Sequence, residues 1–364
     1  MTKEIGNPND ESRRYQTWTS FSAIRHSGFV IVSDFVIRHS SFSILLAACL
    51  TASAFASSAT NTNDTVTVLL VVGAPGEEEY AKNFERWAGL WEKASRDGGA
   101  NYVSVGLTPT NETTDWERMR QALAAEPKES ASDLWLVLIG HGTFDGKEAK
   151  FNLRGPDLSA TDLAEWLKPF RRPLAVIDCA SSSGAFLNKL SATNRVVVVA
   201  TKSGYEQNYA RFGQYISEAI ADPEADLEKD GQTSLLEAFL MASRRVAEFY
   251  ESEGRLATEH ALLDDNGDGL GTPADWFRGI RAVKRAREGA PADGLRAHQF
   301  HLERSDAERK LAPEIRARRD ELELAISRLR DTKNQVTEDD YYRQLEKLLL
   351  ELATLYQQDK PKPQ

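Results

Sequence analysis

Five apolar stretches constrain this chain more than anything else in it. They are TVTVLLVV (65–72), NYVSVGL (101–107), LWLVLIG (134–140), PLAVIDC (173–179) and RVVVVATK (195–202). Most are rich in β-branched residues and lack the polar alternation of a half-solvated strand. Strands buried on both faces read this way, and they belong to parallel sheets with helices on each side. Segments at helical spacing lie between them: 77–96 with Phe84, Trp87, Leu90 and Trp91, then 115–125, then 159–170 behind a Ser/Thr cap. Longer helices are expected near 208–220 and 233–255, and a short hairpin arm at KEAKFNLRG (147–155). The alternation predicts an α/β fold with a mostly parallel sheet covered on both faces.

Ligands of such sheets collect at the carboxyl ends of strands. His141 closes the third run, Cys179 closes the fourth, and TKSGYEQN (201–208) includes the end of the fifth, so the three share one rim. A thiolate nucleophile needs a base and donors for an oxyanion, and histidine has a pKa suited to the first role. Gly142, beside His141, would let a backbone N–H approach a substrate carbonyl. A plainer reading stands beside this one: histidines at strand ends are commonly structural, and cysteine is a good small core residue.

The acidic balance, a formal charge of −10 over 364 residues, argues against a nucleic-acid role. Residues 1–64 read as an upstream segment and signal peptide. FSILLAACLTASAFASS (42–58) has a short apolar core and then small residues, with cleavage expected near 56, after Ala54-Phe55-Ala56. An exported protein follows, periplasmic or secreted; the alternative is a lipoprotein anchored through Cys49 in LAAC (46–49). The apolar core is too short for a transmembrane helix. AIRHSGFVI (23–31) recurs as VIRHSSFSI (36–44), which is read as lying upstream of the true start. If Cys49 leaves with the signal, Cys179 is the remaining cysteine and has no intramolecular disulfide partner.

The main domain is expected over 65–285. Residues 286–364 form a linker (REGAPADG, 287–294), one short strand (LRAHQFHL, 295–302) and a helical hairpin. Its apolar positions are Leu311, Ile315, Leu322, Ile326 and Leu329, then Tyr342, Leu345, Leu348, Leu349, Leu352 and Leu355. The hairpin packs on the main domain, binds a partner or self-associates. DDNGDG (264–269) offers Asp264, Asn266 and Asp268 in the order of a calcium loop, with Asp275 at the twelfth position where Glu is usual; the alternative is an acidic turn. The sequence holds no P-loop, no G-x-S-x-G and no H-E-x-x-H.

GHGTFDG (140–146), VVVVATKSG (196–204) and EHALLDDNGDGLG (259–271) together resemble the caspase–hemoglobinase group of cysteine peptidases, its legumain-like branch above all, over roughly 65–275. The resemblance implies a three-layer α/β/α sandwich and endopeptidase action on a peptide or protein by a His141/Cys179 dyad. It also implies an oxyanion donor at Gly142, no cofactor beyond the calcium question, and a substrate pocket lined by Lys202, Ser203, Gly204 and Tyr205. One departure matters. The family pattern Glu-Ala-Cys-x-Ser-Gly, set on Ser183-Gly184, puts Ser181 at the nucleophile and Cys179 two positions early. Two residues along a strand keep the same face but span about 7 Å. Three readings follow: an active Cys179, a site centred on Ser181, or a catalytically inactive peptidase-like scaffold or interaction protein. The family's helical prodomains imply one further use of the hairpin, as an inhibitory lid.

Overall fold

The computed structural model describes residues 65–108, 112–284 and 291–358. The expected signal peptide, Cys49, the short repeat and the first half of the 287–294 linker fall outside the described residues. In chain order the strands are β1 (Thr67–Val72), β2 (Asn101–Val105), β3 (Leu134–Ile139), β4 (Gly142–Phe144), β5 (Ala149–Phe151) and β6 (Leu158–Ser159). Then come β7 (Leu174–Asp178), β8 (Arg195–Val199), β9 (Leu262–Asp264), β10 (Thr272–Pro273), β11 (Phe277–Arg278) and β12 (Arg281–Ala282). The helices of the main body are α1 (Glu78–Asp97), α2 (Asp115–Ala125), α3 (Ala160–Leu167), α4 (Gly184–Leu190), α5 (Phe212–Ala219) and α6 (Leu235–Ser252). The C-terminal region adds α7 (Leu295–Gln299), α8 (Asp306–Lys310), α9 (Pro313–Asp331) and α10 (Glu338–Gln358).

Seven strands form one sheet in the order β10-β9-β8-β7-β3-β1-β2. The five expected runs pair in parallel, and β9 and β10 add an antiparallel edge. Along each strand successive side chains enter opposite faces, and each face meets a helical layer. Trp135, Val137, Ile139, Ala175 and Ile177 pack with Phe84, Trp87 and Trp91 of α1, Phe212 and Ile216 of α5, and Phe239 of α6. Leu136, Leu138, Val176, Val197 and Val199 pack with Met119 and Leu123 of α2, Leu163 and Leu167 of α3, and Phe186 and Leu190 of α4. This is the three-layer α/β/α sandwich with a mostly parallel sheet. The helix at 115–125 has its expected bounds, and Ser159 caps α3 by accepting from the Asp162 N–H. The hairpin arm is β4–β5, extended by β6 into a small antiparallel sheet.

Two expectations are corrected. The strand at 295–302 is instead helix α7; among its residues His301 makes one isolated bridge, to Ser234. Gly294 turns the chain at φ 115°, and the Asp265 carboxylate accepts from the N–H groups of Gly294 and Ala297, which fixes a helical start. EHALLDDNGDGLG (259–271), read as a loop, contains the short strand β9 and leads into β10.

Helices α9 and α10 pack against each other as the expected hairpin, with Arg318 Nε donating to Glu351 across it at 3.1 Å. Its root rests on the amino end of the sheet. Arg304 pairs with Asp133, the residue before β3, at 3.1 Å, and Gln299 donates to the Asp320 carbonyl at 2.9 Å. This anchorage lies at the opposite end of the strands from His141 and Cys179. Among the described residues no helix is long and apolar enough to cross a membrane.

The same amino edge is held by Arg172, 2 % exposed. It donates to the carbonyls of Ser132 (2.8 Å) and Asp133 (2.9 Å) and pairs with Glu126 (2.9 Å). One guanidinium thus ties the chain entering β3 to the chain entering β7. Arg172→Met should cost about 2–4 kcal/mol in urea unfolding, because it leaves two carbonyls and the half-buried Glu126 carboxylate without their donor. Arg172→Lys should recover only part of that loss, since an ammonium lacks the planar fork.

Candidate functional site

The pairing of β3 with β7 decides which side chains meet at the rim. Leu138 lies opposite Asp178, and the Cys179 N–H continues the ladder by donating to the Leu138 carbonyl at 2.9 Å. Cys179 is therefore level with Ile139. His141 lies two residues further along, about 7 Å at the usual rise per residue. Cys179 is 2 % exposed and belongs to the α1/α5 core, with Gly213 of α5 and Trp87 closing over it. A Cβ on Gly213 would stand 3.0 Å from the Cys179 Cβ, so a side chain there would crowd the thiol. Burial pushes the thiol pKa well above its ordinary value, and the charges of Asp178 and Glu259 add to the shift. Among the described residues no hydrogen bond joins Cys179 to His141.

His141 is half-buried in an aromatic surround. Its ring centroid lies 4.8 Å from Tyr80, 5.3 Å from Phe84 and 5.8 Å from Tyr209. Its Nε2–H donates to the Pro75 carbonyl at 3.1 Å. A Cβ on Gly142 would collide with the Ser181 carbonyl oxygen. The His-Gly turn thus abuts Ser181 rather than Cys179. Ser181 is 4 % exposed, and its hydroxyl donates to the Asn208 carbonyl at 2.8 Å.

The turn after β7 is held tightly. Ser182 takes φ 61°, a left-handed conformation uncommon outside glycine, and its N–H donates to the Glu206 carbonyl at 2.9 Å. The Ser183 hydroxyl accepts from the N–H groups of Ala200 (3.0 Å) and Thr201 (3.2 Å), and Thr201 Oγ1 accepts from Gly184 (2.8 Å). Three serines in a row, read in sequence as a nucleophile neighbourhood, act here as turn and cross-strand locks.

Lys202, Ser203, Gly204 and Tyr205 line a cavity of about 540 Å³ together with Phe144, Trp276 and residues 268–272. His141, Cys179 and Ser181 are not among its walls. The cavity opens on the α3/α4 side of the sheet, where Phe144, Ala185 and Leu262 pack, whereas the ring of His141 packs on the α1 side. The cavity wall is organised by Glu206, which the sequence reading passed over. Its carboxylate accepts from the N–H groups of Lys202 (2.9 Å) and His260 (3.1 Å) and meets the His260 ring at 2.5 Å. Nothing in TKSGYEQN points to this role, because the partner His260 is remote in sequence.

Asp264, Asn266 and Asp268, the residues of the calcium question, lie in a loop whose side chains accept from its own amides. Asp264 accepts from the N–H groups of Gly267 and Gly269, Asn266 from Asp268, and Asp268 from Leu270. Among the described residues no group of three or more His, Cys, Asp or Glu could hold a metal. Asp275, the expected twelfth position, pairs with Lys284 at 2.8 Å.

Fold and rim together define a three-layer α/β protein whose strand ends carry a preformed cavity. No protein-family model matches the chain, and no curated protein does. Among solved structures it is similar to the Drosophila initiator caspase Dronc, with TM-score 0.37 and 12 % identity over 57 % of this chain and 81 % of that one. It is similar to caspase-1 from Spodoptera frugiperda, with TM-score 0.38 and 10 % identity over 56 % and 90 %. It is also similar to Raptor from Chaetomium thermophilum, with TM-score 0.31 and 10 % identity over 43 % and 17 %. None of the three is a legumain, so the legumain-like branch rests on the sequence motifs alone.

One buried acid at the rim makes stability depend on pH. Asp178 accepts from the Ala180 N–H at 3.0 Å through one oxygen, while burial raises its pKa to about 7. The folded state holds this proton more tightly than the unfolded chain does. Its contribution is complete below about pH 4 and is lost as pH rises through about 7. Asp178→Asn keeps the acceptor and cannot ionise. Denaturant unfolding at pH 4, 6 and 8 should show the variant gaining on the native chain by a few kcal/mol, roughly, as pH rises.

Proposed function

We propose that this chain is a peptidase-like α/β module that recognises polypeptide without hydrolysing it. The observation that carries the reading is the level of Cys179: beside Ile139, in the core, 2 % exposed. A nucleophile for acyl transfer must reach a carbonyl carbon and lie within hydrogen-bond reach of its base. The buried thiol does neither, and its raised pKa keeps it protonated through neutral pH.

Ser181 supports catalysis no better. Its hydroxyl is spent on the Asn208 carbonyl. A serine nucleophile also needs an acid to orient the histidine. Among the described residues the imidazole bonds to the Pro75 carbonyl and to no carboxylate. The rim then serves binding: the His-Gly turn packs the fold, and the loops beyond β8 and β9 present a cavity. Export, read from residues 42–58, belongs to the same proposal.

The test pairs reactivity with turnover. Iodoacetamide labelling of the folded chain across pH 5 to 9 should run at least 100-fold slower than after denaturation, and His141→Ala should leave the folded rate unchanged. Fluorogenic peptides with Asn, Asp, Arg or Lys before the scissile bond should stay intact. Fast labelling with an apparent pKa below the ~8.5 of a free thiol, slowed by His141→Ala, would overturn the proposal. Hydrolysis abolished by Cys179→Ala would do the same.

A further inference from the structure

The loop after β8 and the turn between β9 and β10 face one another across the cavity of about 540 Å³. That volume lies within the range of ligand sites, roughly 300–1,000 Å³. Its apolar walls are Phe144, Leu187, Tyr205, Leu262, Leu270 and Trp276. Tyr205 stands edge-on to Phe144, with ring centroids 5.2 Å apart. Two of these residues are unusually open to water: Tyr205 is 75 % exposed and Leu270 is 53 % exposed. Exposed apolar groups gathered at a concave site mark a contact surface, whereas single scattered ones do not.

Of the charged side chains on the lining, Lys202 is paired and Asp268 is held by its own loop. The Lys202 ammonium lies 3.4 Å from the Glu206 carboxylate, and Asp268 accepts from the Leu270 N–H at 2.7 Å. The paired lysine offers no free cation to an acidic ligand, whereas Asp268 keeps its negative charge at the exposed edge of the cavity. The walls are also fixed in advance. Glu206 ties Lys202 to His260, its carbonyl takes the Ser182 N–H, and the Asp264 carboxylate braces the opposite turn through Gly267 and Gly269. A preformed wall spends little binding energy on ordering itself.

We infer that this cavity receives the side chain of a bulky apolar residue, aromatic or leucine, from a polypeptide. The inference rests on the reading of the chain as a polypeptide-recognition module. It adds the residue class that is recognised and places the contact apart from His141 and Cys179.

Four blocked residues serve as probes of the isotope-labelled full chain: N-acetyl-phenylalaninamide, N-acetyl-leucinamide, N-acetyl-lysinamide and N-acetyl-aspartamide. Toluene provides a non-peptide arm. The phenylalanine and leucine probes should shift the amide signals of Gly269, Leu270 and Gly271 and saturate at least tenfold tighter than the charged probes. Leu270→Asp, at an exposed position, should weaken that binding at least tenfold, and Tyr205→Ser should weaken it several-fold. Leu350→Asp on the outer face of α10 should leave it unchanged. No shift up to the solubility limit overturns the inference, as do equal binding of the charged probes and indifference to Leu270→Asp. Toluene binding as tightly as the phenylalanine probe overturns the polypeptide assignment. Failure here with an inert thiol counts against the cavity alone. Hydrolysis dependent on Cys179 counts against the proposed function while leaving the cavity result intact.

Discussion

The parallel ladder between β3 and β7 is the constraint on which the rim depends. Leu138 faces Asp178, and the Cys179 N–H adds one further rung. Sliding β7 by one residue would turn Ile177 and Cys179 onto the wrong face. Sliding it by two would raise the thiol to the level of His141, but would drag every buried side chain of β7 out of register with α1, α5, α3 and α4. The sheet resists such a slide because β7 is central, with β3 on one side and β8 on the other. The depth of the thiol is thus a property of the whole core, and local adjustment of a loop does not change it.

Much of the fold was legible because buried parallel strands advertise themselves. The runs at 65–72, 134–140, 173–179 and 195–202 each became a strand of the sheet, a few residues shorter at the ends. The expected segments that became α1, α2, α3, α5 and α6 showed their apolar spacing or caps. Helix α4 was missed because it opens behind three serines and a glycine, which read as a turn. Strands β9 and β10 were missed because they are short and flank a stretch of Asp and Gly. The 295–302 segment misled for the opposite reason: apolar residues are scattered through it, but a remote carboxylate, Asp265, caps it as a helix. Of the site, the rim position of His141 and the loop at 202–205 could be read in advance. The depth of Cys179 hung on a two-residue choice of anchor that one sequence leaves open, and the role of Glu206 on a contact 54 residues away.

The two ends of the sheet do different work. At the carboxyl end the loops are locked by side chains that hold backbone: Ser183 and Thr201 across β8, Glu206 beneath the cavity, Asp264 in its own turn. At the amino end Arg172 and the Asp133–Arg304 pair tie the entry of β3 to its neighbours and to the C-terminal region. This division sets the anchorage of the helical hairpin at the far end of the strands from the rim. It also gives the strand-end serines and histidine structural employment that does not need chemistry.

The hairpin carries a consequence for how the molecule opens. At 21 residues, α10 runs about 31 Å and takes its support chiefly from α9. The amides of β3 and β7 sit under two helical layers and are released to solvent only when the domain unfolds as a whole. Those of α10 need only the hairpin to part. Native-state hydrogen exchange would therefore sort the chain into two populations of protons, a fast one on the arm and a slow one in the sheet, with the arm breathing many times for every global unfolding event.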